Sequence, residues 1–353
     1  MSTRLDGDPQ RIRTLRAPAR YRPSRRVLTA LLGLAALLVA VAASLAVGSR
    51  EIPLHTVWDA LRGLPVPSGD AAAVLDLRLP RTVIGLTAGM ALGVSGAVIQ
   101  AVTRNPLADP GILGVNAGSA FFVSLAVGLL GVTSPQGYLW FAFLGAFVAT
   151  VIVSLIGAVG RGAASPARLT LAGVALGAVL TGIVSAIRLS DPKSFEILQV
   201  WESGSLHDRG WDVAAPVIPF IAAGLLLAAL LGPSLNTMAL GDDLAASLGT
   251  GVLRTRLLAI VAVTLLAGGA TAMAGPIAFV GLMIPHIARW IVGPDQRWII
   301  ALTVLLSPVL LLASDILARV VLRPGELPVG VVTAIVGAPL LIVLVRRQRV
   351  SGL

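Results

Sequence analysis

An all-α membrane protein of about ten transmembrane helices is the fold class the sequence predicts, and three observations carry that prediction. The chain has 353 residues, of which 56% are hydrophobic and only 12% charged, with a mean hydropathy of +0.90. That is far too little charge to coat a soluble fold of this size, so lipid must serve as the outer solvent. Uncharged runs long enough to cross about 30 Å of hydrocarbon recur along the whole chain. No alternating barrel pattern accompanies them, and helices satisfy their backbone groups internally where lipid cannot.

The spans fall near residues 27–48, 82–102, 111–132, 138–160, 169–187, 213–235, 257–275, 276–288, 298–314 and 327–345. The first follows a basic segment, residues 1–26, expected to be a disordered tail. It is too long for a signal-peptide core and lacks a clean cleavage site, so it reads as a span. In the second span Gly85, Gly89 and Gly93 recur at four-residue spacing, as do Gly173 and Gly177 in the fifth, a pattern that lets helices approach closely in lipid.

Between the second and third spans stands "TRNPLADPGILGVNAG", Thr103 to Gly118. Pro106 and Pro110 lack an amide donor and stop the helix, Asn105 and Asp109 each precede a proline and favour a turn, and Gly111 and Gly114 allow tight re-entry. The segment reads as a short turn rather than a domain linker. Leu257 to Ala288 is uncharged but too long for one span, and Gly275-Pro276 is where it should divide, leaving a short eighth helix. Residues 27–347 thus form one ten-helix domain followed by a tail, 348–353.

An even number of spans puts both termini on one side, and arginine identifies it. Eight arginines precede Val27, three lie in "RRQRVSGL", and Arg104, Arg161, Arg168, Arg254, Arg256, Arg289 and Arg297 join them, giving 18 basic residues on the tail side against 9 on the other. Both tails are therefore expected to be cytoplasmic, in a multi-pass protein of the cytoplasmic membrane. The net charge of +10 is mostly this orientation signal, with anionic lipid a natural contact for the tail. No basic and aromatic platform accompanies it, so nucleic acid is not an expected partner.

What is missing narrows the function. None of the ten spans as drawn contains Asp, Glu, Lys or Arg, whereas an ion-coupled carrier usually keeps an ionisable group near the midplane. The sole lysine, Lys193 in "DPKSF", is not part of a P-loop. No hydrolase or metalloprotease signature occurs within a span, and cysteine is absent. His286 in "IPHIARW" reads as a hydrogen-bonded structural group. No enzyme is expected, nor any cofactor or metal in this chain.

Four stretches, "RLPRTVIGLTAGMALGVSGAVIQAVTRNPLADPGILGVNAG", "LGDDLAASLG", "GPIAFVGLMIPHIARWIVGPDQR" and "ELPVGVVTAIVGAPLLIVLV", together resemble the FecCD-type permeases of iron-siderophore and vitamin B12 ABC importers. The resemblance covers roughly residues 27 to 347. It implies a BtuC-like type II importer permease that pairs with a second permease subunit, identical or paralogous. It further implies two ATP-binding subunits that hold ATP and Mg, an extracytoplasmic substrate-binding protein, and a ferric siderophore as cargo, with cobalamin or haem as the alternative.

Residue roles follow from the same resemblance. Within the cytoplasmic segment at about 237–253, Gly241, Asp242, Asp243, Leu244, Ala245, Ala246, Leu248 and Gly249 match the pattern of a coupling helix that enters a groove on the ATPase. The two aspartates also suit a helix N-terminus, where the dipole favours carboxylates. On the outer face Arg78, Arg81 and Arg319 match arginines that meet glutamates of the binding protein, a contact that sets orientation and on-rate. They lie where the positive-inside rule disfavours them, which weakens the reading as headgroup anchors. "VWESGSL" adds Trp201 and Glu202 to that docking set, although Trp201 also suits an interfacial belt. Asn105, Pro106, Asn116 and Ser119 are the candidates for gate and pathway.

Overall fold

The structure, a computed structural model, describes residues 23–48, 51–158, 166–323 and 325–348. Most of the N-terminal tail, the end of the C-terminal tail and Arg161 lie outside the described residues. The helices are α1 (Pro23–Ala46), α2 (Leu54–Leu61), α3 (Ser68–Ala72), α4 (Leu79–Thr103), α5 (Val115–Gly128), α6 (Pro135–Ala158), α7 (Pro166–Ser190), α8 (Pro192–Glu202), α9 (Trp211–Met238), α10 (Asp242–Ser247), α11 (Val252–Ala274), α12 (Val280–Val292), α13 (Gln296–Val321) and α14 (Val329–Gln348). Among the described residues there is no strand.

Seven of these helices are long and apolar enough to cross a membrane, and α5, α12 and α14 are shorter apolar helices, so the ten expected spans are all present. The other helices, α2, α3, α8 and α10, lie in the connections. The third span is shorter than 111–132 because Pro110–Leu113 forms a 3-10 turn before α5 begins.

At the centre stands α4, which packs against α9, α11, α12 and α13. Of the most apolar window in α4, 78% is buried, and 72% in α11, against 17% in both α1 and α7. The glycine stripe explains how α4 fits there. A Cβ at Gly89 would lie 2.7 Å from the Pro308 Cα and one at Gly93 1.8 Å from the Ser307 hydroxyl, both on α13. On another face, a Cβ at Gly96 would meet the Gly281 carbonyl oxygen of α12 at 1.8 Å. Apolar burial gives helices little reason to associate in lipid, so this close approach and its dispersion contacts do the holding.

The break between α11 and α12 falls where Gly275-Pro276 predicts it. Gly275 sits at φ 74, a conformation a side chain would strain, and Phe279 at φ 71 completes the reversal. Inside α12, Pro285 has no N–H to give to the Gly281 carbonyl one turn back. The Gln100 amide of α4 supplies the donor instead, at 3.2 Å, and also reaches the Leu282 carbonyl at 3.1 Å.

Two expectations need correction. The spans are not free of charge: α13 continues past residue 314 to include Asp315 and Arg319, and Arg81 lies in the first turn of α4. These charges tolerate burial because Asp315 lies between the two arginines and Glu326, in the connection after α13, balances the second positive charge. His286 is buried, but neither ring nitrogen meets a partner among the described residues; its ring instead packs edge-on against Trp290, with centroids 4.8 Å apart.

Candidate functional site

The N-terminal end of α4 is built around a carboxylate. Asp315 of α13 is fully buried and accepts hydrogen bonds from Arg81 Nε at 3.1 Å and Nη2 at 2.7 Å, while Arg319, one helical turn on, closes on its other oxygen. Glu326, in the connection from α13 to α14, takes the remaining side of Arg81 at 2.7 Å.

The same arginines finish α1. The last carbonyls of a helix lack intrahelical donors, and here guanidinium groups serve them. Arg78 donates to the Leu45 and Ala46 carbonyls at 2.8 and 2.7 Å, Arg319 to that of Ser44 at 2.9 Å, and Arg323 to that of Gly48 at 2.8 Å. A π-helical stretch, Ala73–Arg78, delivers Arg78 to this position. Positive groups also suit the negative end of the α1 dipole.

Beside the cluster lies a cavity of about 360 Å³ whose lining includes Arg78, Arg81, His207, Arg209, Arg319 and Glu326. His207 stands 3.4 Å from Glu326 and 3.1 Å from Asp208. Hydrogen bonding to His207, with Arg81 adding to it, pulls the Glu326 carboxyl down to about 2, and the same bond raises His207 above its ordinary value.

The outer residues therefore differ from an open rim. Arg78, Arg81 and Arg319 are 7%, 8% and 2% exposed, held mainly by partners in their own chain. Trp201 is 1% exposed and belongs to the main apolar core, which rules out an interfacial belt position. Glu202 is half-buried and paired with Arg188 at 2.6 Å.

At the C-terminal end of α4, Arg104 closes the helix in the left-handed conformation, φ 51. The Asn105 side chain accepts from the Leu107 N–H at 2.9 Å, and Asp109 accepts from the Gly111 N–H at 2.8 Å to start the 3-10 turn at Pro110. Burial raises the Asp109 carboxyl and the Gly111 bond partly offsets it. Gly114 takes φ 77, as tight re-entry requires, while Gly111 does not need a positive φ.

Residues 242–247 form the expected short helix α10, with Gly241 before it at φ 110 and Asp242 and Asp243 in its first turn. Asp242 is paired with Arg104 at 2.9 Å and with Arg256 at 3.1 Å. Asp243, Ala246 and Gly249 are exposed, Ala245 is buried, and Leu240, Leu244 and Leu248 are 58%, 49% and 58% exposed. Those leucines recur every fourth residue, an apolar surface beside an acidic one.

Of the pathway candidates, Asn116 is half-buried and accepts from Thr271 of α11 at 3.1 Å. Ser119 is fully buried and donates to the Ala142 carbonyl of α6 at 2.8 Å, so it serves helix packing rather than an open passage. Asn105 and Pro106 sit in the turn that follows α4. Sequence reasoning missed Asp315, Glu326, His207 and Gln100. The four-residue spacing of Asp315 and Arg319 was a usable signal; nothing local links Gln100 to Pro285.

A charge-poor bundle of ten apolar helices with a short helix between two of its spans defines a multi-pass membrane protein. The sequence profile of the FecCD transport family matches residues 36–347, and the chain belongs to that family, which makes it a transport permease. It is 51% identical over 317 residues to the ferric enterobactin transport system permease protein FepD of Escherichia coli K12, covering 90% of this chain and 94% of the relative. It is 39% identical to the iron(3+)-hydroxamate import permease FhuB of Bacillus subtilis, over 92% of this chain and 84% of that one. With the hemin transport permease HmuU of Yersinia pestis it shares 34% identity, over 86% and 90%. A solved structure described as an inward-facing conformation of a metal-chelate type ABC transporter superposes with a TM-score of 0.80 at 27% identity, covering 91% of this chain and 99% of that one. The all-α, BtuC-like architecture expected from the sequence is thus the one found.

Proposed function

We propose that this chain is the membrane passage of a binding-protein-dependent ABC importer that carries a ferric siderophore into the cytoplasm. The 51% identity to the ferric enterobactin permease, over nearly the full length of both chains, carries the choice of cargo. Haem is the second reading, favoured by the Yersinia pestis relative, and cobalamin the third.

Energy comes from outside the chain. Two partner subunits bind ATP and Mg²⁺ and dock from the cytoplasm on α10, whose exposed Leu240, Asp243, Leu244 and Leu248 form the contact surface. Asp242 is engaged inward instead. On the outer side a substrate-binding protein docks over the arginine-lined cavity, where Arg78, beside the Arg81–Glu326 pair, offers positive charge to its carboxylates, with Glu202 near the contact. Arg319 and Trp201 support that face from beneath. A second permease subunit completes the passage, with both termini of each on the cytoplasmic side. The 18 basic residues on the tail side against 9 on the other support this orientation. The passage opens alternately to either side as the ATPase pair closes and opens.

Uptake by a strain lacking the gene tests the cargo. With labelled ferric catecholate, ferric hydroxamate, ferric citrate, haem and cobalamin offered separately, one ferric chelate should be lost and restored by the gene. Selective loss of haem or cobalamin would overturn the siderophore assignment.

A further inference from the structure

We propose that α4 is the strut through which the two docking faces act on each other, with Asp242 as its cytoplasmic clamp rather than a contact for the ATPase. The proposal rests on the assignment of those faces given above. Both oxygens of Asp242 are engaged within the chain: Oδ1 accepts from Arg104 at 2.9 Å and Oδ2 from Arg256 at 3.1 Å. Arg104 is the C-terminal cap of α4, held at φ 51, which non-glycine residues seldom adopt. Arg256 is 5% exposed in the first turns of α11.

The rest of the segment is braced too. The Thr237 and Thr250 hydroxyls, 2.7 Å apart, close its base, and the Thr250 N–H donates to the Ala245 carbonyl at 2.9 Å. A displacement of α10 is therefore delivered through Asp242 to α4 and α11, the two most buried spans, and through Thr237 to α9, rather than to the lipid-facing α1 and α7.

The opposite end of α4 is clamped as well, by Arg81 to Asp315 and Glu326. The helix that joins the clamps is 25 residues long, about 37 Å. Proline occurs only at the helix start, and Gly89, Gly93 and Gly96 are each closed in by backbone or side chain of α13 or α12. Such a member bends little and moves as one piece. By linkage, a ligand at either face must then change affinity at the other by the same factor.

The test uses the assembled importer in nanodiscs. Affinity for labelled binding protein is measured with and without a non-hydrolysable ATP analogue, and the ratio of the two is the coupling, of order 5-fold to 150-fold in systems of this kind. Asp242→Asn and Arg104→Gln should each bring the ratio to near one while the ATPase still co-purifies, and the double variant should add nothing, since both break one clamp. An unchanged ratio, or additive losses, overturns the strut. Loss of the ATPase from Asp242→Asn would make Asp242 a contact residue and overturn it too. Leu244→Ser with Leu248→Ser checks the face itself: loss of the ATPase supports it, whereas retention removes the docking assignment on which the strut depends.

Discussion

Asp315 shows how a single carboxylate can decide the layout of one end of a membrane protein. It pairs with both Arg81 and Arg319 from a fully buried position; Arg319 in turn holds the end of α1, and Arg81 receives Glu326, the second negative charge. Removing one partner of a buried pair leaves uncompensated charge, at a cost of about 3–5 kcal/mol. Asp315→Asn should therefore lower the melting temperature in detergent sharply; a shift indistinguishable from that of a surface substitution would show the cluster to be solvated. His207 and Glu326 allow a second check. Glu326, depressed to about 2, contributes from above its ordinary range and loses its contribution as pH falls toward 2. His207, raised, contributes below its ordinary value and loses its contribution as pH rises through the elevated one. The pair is consequently strongest in mildly acidic medium. Histidine NMR should place the His207 titration above about 6.5, and Glu326→Gln should move it down; no movement would sever the two. In sequence, Arg78, Arg81 and Arg319 stood out as arginines on the disfavoured side, but their partners lie far along the chain, so burial could not be read there.

At the scale of the helix, spacing was informative wherever the constraint is local. The glycine stripe of α4, the proline punctuation at 103–118 and the Gly275-Pro276 break each follow from what one residue type does to its own backbone or flank, and each is found. The ends of helices were less legible, since hydropathy stopped the ninth span at 314 while partnered charges let α13 run on to Val321. The donor that Gln100 lends to α12 depends on a contact 181 residues away. Helix packing also supplies a prediction with its own control. Gly96→Val would drive a side chain into the Gly281 carbonyl and should cost about 1–3 kcal/mol or more. Gly182→Ala, with nothing within 4 Å, should be neutral in the same thermal assay. Equal behaviour of the two variants would mean that α4 and α12 do not meet as described.

Taken as a whole, the molecule is a passage without an engine. Its most buried helices, α4 and α11, meet the short helix α10 at one end, and α4 carries the arginine-lined cavity at the other. Family and architecture were legible in four ordered motifs; the cargo was narrowed by likeness to permeases of ferric chelates. The most direct measurement is transport by the purified permease reconstituted in liposomes with its ATPase and binding protein, using labelled ferric enterobactin as probe. Accumulation should require ATP, stop with vanadate, and persist when ionophores collapse every ion gradient. Accumulation driven by a proton or sodium gradient without ATP would contradict the importer assignment at its root.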